Sequence, residues 1–150
     1  MAGNIIQGGF FDTLHVIEEH LHSKTMAFPT GAATIRLSTI ASAWPSYTSV
    51  VIKEIVSAAG APSSTFDIHW AVVSNISLVA DYELLIFSGE AGVEELIAVV
   101  PFARDTFAAS IGGLPVVTPR QAKNTRISAS IRHSAASIDT VQVKLAGHIY

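Results

Sequence analysis

The sequence predicts an all-β fold, an antiparallel, jelly-roll-like β-sandwich of about eight strands. Two observations carry this. From Gly31 onward, short segments rich in β-branched and aromatic residues alternate with turn residues at roughly regular spacing, with no helical crossover between them. The chain is also 49% hydrophobic and only 14% charged, against roughly 25% charged in typical soluble domains. A sheet that apolar needs a second sheet facing it.

Taken in order, residues 1–28 read as a separate N-terminal arm or short helix, and residues 29–150 as the sandwich domain. Asp12 is a candidate helix cap, and Leu14, Ile17 and Leu21 share a stripe at helical spacing, with Phe11 one turn earlier. An extended arm that orders against a neighbouring subunit fits as well. Beyond Pro29, Ala33, Ile35 and Leu37 alternate with Thr34, Arg36 and Ser38, giving a half-buried strand. Pro45 stops continuation through Trp44–Tyr47. Val50–Val56 is the next strand, and Ala58–Ser64 a loop.

The central stretch, Phe66–Arg104, holds three apolar segments separated by Ser74-Asn75 and Gly89–Gly92. It reads as a three-stranded antiparallel meander, with Phe66, Ile68, Trp70 and Val72 on the core face and Asp67 and His69 on the other. Pro101 places an edge or a bulge in the third segment. A long connection follows from Asp105 to Gly113, then a short extended piece, Leu114–Pro119. Ile127, Ala129 and Ile131 point inward from the next strand, with Arg126, Ser128, Ser130 and Arg132 outward. The last strand, Thr140–Ala146, points Val141, Val143 and Leu145 inward and can continue to Tyr150.

With 150 residues the chain reads as one domain. A net charge of -3 and a pI near 6.0 argue against an electrostatic grip on nucleic acid. The absence of cysteine excludes disulfides and thiolate chemistry. No apolar run reaches the roughly 18 residues of a membrane-spanning helix. The N-terminus lacks the basic and apolar regions of a signal peptide, so synthesis in a cytoplasm is expected. The excess apolarity, spread over many short segments, predicts an oligomer or a docked assembly.

No motif for chemistry stands out, and no catalytic residue, metal site or cofactor is expected. On a helix, His15, Glu19 and His22 would share one face, but without the H-E-x-x-H spacing an exposed polar face is the simpler reading. Asp67 and His69 resemble a base and its orienter, yet no nucleophile motif accompanies them and an outward strand face explains both. The strand histidines His69, His133 and His148 stand singly. Glu90, Glu94 and Glu95 suit a solvated turn. Gly8-Gly9 and Gly112-Gly113 match neither a P-loop nor a dinucleotide fingerprint.

Phe66-Asp-Ile-His-Trp-Ala-Val-Val, Tyr82-Glu-Leu-Leu-Ile-Phe-Ser-Gly-Glu-Ala-Gly-Val-Glu, Asn124-Thr-Arg-Ile-Ser-Ala-Ser-Ile and Gly147-His-Ile-Tyr resemble segments of small β-sandwich virion proteins of tailed bacteriophages. The resemblance spans residues 31–150 and consists of strand and turn patterns. It implies a non-enzymatic capsid decoration (cement) protein, made in the host bacterial cytoplasm and carried on the capsid surface of the virion. Such proteins commonly sit as trimers and clamp neighbouring major capsid subunits, with no role for nucleic acid or membrane. Phe10, Phe11, Leu14 and Ile17 are then the expected anchors of the arm. The alternative is a glycan- or receptor-binding module of a tail or fibre, gripping its ligand through Trp44 and Tyr47.

Overall fold

The computed structural model describes residues 24–105 and 111–150. Among the described residues, nine strands form two antiparallel sheets: β1 (Lys24–Phe28), β2 (Ile35–Ser38), β3 (Lys53–Val56), β4 (Phe66–Ser74), β5 (Ala80–Ser88), β6 (Glu95–Arg104), β7 (Ile111–Pro115), β8 (Ile127–His133) and β9 (Thr140–Ile149). The fold is all-β, as its alternating segments predict. Among the described residues, no helix is long and apolar enough to cross a membrane.

The pairing shows how the chain is wound. β2 pairs with β9, β3 with β8, β4 with β7 and β5 with β6, all antiparallel. The chain is thus a long two-stranded ribbon with the β5–β6 hairpin at its tip, coiled so that successive strand pairs fall in opposite sheets. Sheet A runs β1–β9–β4–β7, with β2 also on β9, and sheet B runs β3–β8–β5–β6. This winding is that of a jelly roll. β1 and β2 occupy successive lengths of one edge of β9, which is why nine strands fill eight positions.

Three expectations change. Lys24–Phe28, assigned above to the arm, is a strand of sheet A: Phe28 is buried, edge-on to Phe66 at 6.2 Å between ring centroids. The hydrogen bonds that make it a strand come from β9, at the far end of the sequence. The meander does not form either. β5 and β6 are a hairpin of sheet B, whereas β4 lies in sheet A between β9 and β7. The β4–β5 connection crosses between the sheets, with Asn75 at φ 57 and Ile76 buried. Adjacent apolar segments face each other across the core here, rather than lying side by side. Finally, Ser128 and Ser130 are fully buried although they lie on the outer face of β8, beside the equally buried Phe87 and Leu85 of β5. Alternation tells which face a residue takes; it does not tell whether that face is wet.

The core between the sheets is built from inward residues of both, among them Ile68, Leu84, Ile131 and Val143, with Tyr82 stacked on Phe102 at 5.2 Å. A buried polar network ties the crossovers together at one end. The Asp139 carboxylate accepts from Ser77 O–H at 2.5 Å, Tyr82 O–H at 2.6 Å, Thr140 N–H at 2.8 Å and Ser77 N–H at 3.2 Å. Burial pushes its pKa up, but these bonds outweigh burial and leave it below the ordinary carboxylate value. Beside it, Ala135 N–H donates to His133 Nδ1, so Nε2 carries the proton and donates to Thr39 Oγ1 at 2.9 Å. Pro101 is exposed on β6, an edge strand of sheet B, where its missing N–H costs no ladder bond.

Candidate interaction surface

The site follows from one irregularity in β4. Phe66 and Ile68 point into the core as expected, but the register against β9 shifts between Ile68 and Trp70. This is a β-bulge, and one extra residue moves every later side chain to the opposite face. Ala71 and Val73 therefore fill the core, while Trp70 and Val72 turn outward with 51% and 41% of their surface exposed. Both were expected inside.

Around them lies further apolar surface. Trp70 sits opposite Pro115 of β7, and its ring lies 4.0 Å from where a Cβ on Gly113 would be. Val116 N–H donates to His69 O at 2.8 Å, extending the β4–β7 contact past the end of the strand. At the rim of the sandwich, Ala98–Pro101 of β6 and Leu114–Val117 line an apolar groove between the two sheet edges. Val99 and Val117 project from it, exposed by 39% and 88%. Isolated exposed valines are ordinary, but an outward Trp continuous with a proline and an apolar groove makes this face the candidate contact surface.

The sequence-derived residues Trp44 and Tyr47 lie elsewhere, on the loop between β2 and β3, each exposed by about two-fifths. Arg132 organises that loop. Its guanidinium stacks on Tyr47 at 4.1 Å and lies 5.4 Å from Trp44. It also donates to Pro45 O at 2.8 Å and pairs with Glu83 at 2.6 Å. Trp44 takes φ 45, held by its N–H bond to His133 O. The rings are thus presented on an ordered loop, and the Arg132 cation takes the near face of Tyr47.

Phe10, Phe11, Leu14 and Ile17 lie outside the described residues, as do His15, Glu19 and His22. The structure does bring together histidines that the sequence leaves apart. Asp67 and His148 are cross-strand partners on β4 and β9, and the His69 and His148 ring centroids are 4.5 Å apart. His69 Nε2 lies 2.8 Å from Asp67 Oδ1, and Tyr150 O–H donates to Asp67 Oδ2 at 2.7 Å. Burial raises the Tyr150 pKa, and Asp67 raises it further.

No family model matches the chain, and no curated protein matches it. Solved structures to which it is similar include that of infectious bursal disease virus, Gx strain, at 15% identity and a TM-score of 0.43, over 85% of this chain and 33% of that one. The structure of the Gt strain gives 14% identity and 0.43, over 86% and 33%. This chain spans about a third of the length of either.

Proposed function

We propose that this chain is a non-catalytic structural component of a virus particle, a decoration protein that forms a trimer and binds the shell built by the major capsid protein. The observation that carries the reading is the outward strip of Trp70 and Val72, continuous with Pro115 and the β6–β7 groove. The bulge places this strip on rigid sheet rather than on a loop. A tryptophan fixed there loses little freedom when covered, and buried tryptophans dominate interface energies. The jelly-roll winding adds support by analogy of fold alone, since that architecture recurs in viral capsid and lectin domains. Resemblance to tailed-phage virion proteins points the same way. Work of this kind requires buried area and no reaction. The test is co-sedimentation of the chain with capsid shells stripped of decoration protein: wild type pellets with them, and Trp70→Ser stays in the supernatant. The strip is assigned to the contact between copies, so a Trp70→Ser monomer loses the trimer's multivalent grip on the shell, and equal pelleting of the two rejects the strip as the assembly surface.

A second reading has its own observation, the ordered Trp44–Tyr47 loop, which suits a glycan platform. Loss of glycan binding in Trp44→Ala, with the fold intact, favours it over the first.

A further inference from the structure

Among the described residues, Asp67, His69 and His148 offer one ligand atom each, all within 4.8 Å of one another. We infer that they form a binding site for a divalent transition-metal ion of the zinc type, a clasp between β4 and β9. The inference is independent of the virion reading.

The donor set selects the class of ion. Two imidazole nitrogens with one carboxylate oxygen suit zinc and its neighbours, whereas calcium and magnesium demand shells of oxygen. Bonds of about 2.0–2.1 Å in a tetrahedral zinc site put donors about 3.3 Å apart. Asp67 Oδ1 and His69 Nε2 already stand at 2.8 Å, so the site needs only modest adjustment, chiefly rotation of the imidazole rings. His69 keeps 30% of its side-chain surface exposed, which gives the ion a way in. Three protein ligands leave one position for a ligand that exchanges.

Two backbone features of this sheet meet at these donors. The bulge after Ile68 leaves His69 outside the regular register, and Asp67 sits directly across from His148. Next to His148, Gly147 has no Cβ, and one there would fall 1.7 Å from Asp67 O. Bulges of this kind commonly re-aim side chains at functional sites. An outer shell is present as well: the Tyr150 hydroxyl holds Asp67 Oδ2, leaving Oδ1 toward His69. Arg120 lies over the Tyr150 ring at 3.8 Å, and its charge lowers the affinity for a dication.

The experiment is calorimetric titration of Zn²⁺ into the chelator-treated full chain, with circular dichroism confirming the fold of each variant. Wild type is expected to bind one equivalent at this site. His148→Ala and Asp67→Asn should weaken binding about 100-fold or more, and Tyr150→Phe about 10-fold, the range for outer-shell groups. The double variant His15→Ala/His22→Ala removes the other histidine cluster and should leave this binding unchanged. In wild-type protein, the imidazole NMR signals of His69 and His148 should move with zinc while those of His133 stay, a readout that needs no variant to fold. Absence of zinc binding overturns the proposal. So does binding that the His15/His22 double variant abolishes and His148→Ala leaves intact, or saturation without movement of the His69 and His148 signals.

Discussion

Gly147→Ala tests the packing of β4 on β9 more sharply than any core truncation. The new Cβ would stand 1.7 Å from Asp67 O, 2.8 Å from Asp67 C and 3.0 Å from Ile68 Cα. All three are backbone atoms, so no side-chain rotation relieves the clash. Restoring an ordinary carbon–oxygen contact near 3.3 Å requires β4 and β9 to separate by about 1.5 Å, a third of the usual interstrand spacing. Overpacking typically costs about 1–3 kcal/mol, and backbone at the bulge of a central strand puts this case near 3 kcal/mol. For a chain of this size, that lowers the melting temperature by about 6–12 °C. Gly92→Ala is the control, because its Cβ meets nothing within 4 Å and only its φ of 88 opposes the change. That strain alone costs about 1–2 kcal/mol. Urea denaturation followed by tryptophan fluorescence measures both. Should Gly147→Ala lose no more stability than Gly92→Ala, the close approach of Gly147 to the bulge is wrong.

Other outcomes follow from the buried network and the loops. Asp139→Asn leaves the Tyr82 and Ser77 hydroxyls and three backbone N–H donors, those of Ser77, Leu78 and Thr140, without a carboxylate, and should cost about 2–4 kcal/mol in chemical denaturation. Because the folded-state pKa of Asp139 is depressed, its contribution is fully present above the ordinary carboxylate value near 3.9 and fades as pH falls through the lower folded value. Wild type should therefore lose stability below about pH 4 by an increment that Asp139→Asn lacks, measured as melting temperature against pH. Arg132→Ala removes the cation from Tyr47, the Pro45 bond and the Glu83 pair; about 1–2 kcal/mol should be lost, with red-shifted Trp44 emission in a chain whose other tryptophan is replaced. Trp70→Ser should change the stability of the isolated chain by less than about 0.5 kcal/mol, because its ring is half exposed and outside the core.

Much of the sandwich is written locally in the chain. Alternation in β8 and β9 assigns Ile127, Ile131, Val141 and Leu145 to the core, and Gly89 and Gly92, at φ 106 and 88, turn the β5–β6 hairpin as their position suggests. The bulge is not written so plainly: Trp70 and Val72 continue a perfect apolar alternation, and only pairing with β9 shows that a residue has been inserted. The strand made by Lys24–Phe28 was hidden for the same reason, since its partner lies at the opposite end of the chain. Asp67 and His69 were visible as a pair, whereas His148 joins them only through the β4–β9 register. A glycine immediately before His148 was the one local hint of close approach. Trp44 and Tyr47 were legible as an exposed aromatic pair; Arg132, which orders them, was not.

Light scattering on the purified full chain, wild type beside Trp70→Lys, puts the proposed assembly surface to the most direct test. A trimer for wild type and a monomer for Trp70→Lys, with equal stability, is the expected result. A monomeric wild type at all concentrations, or a trimer that Trp70→Lys leaves intact, would contradict the account.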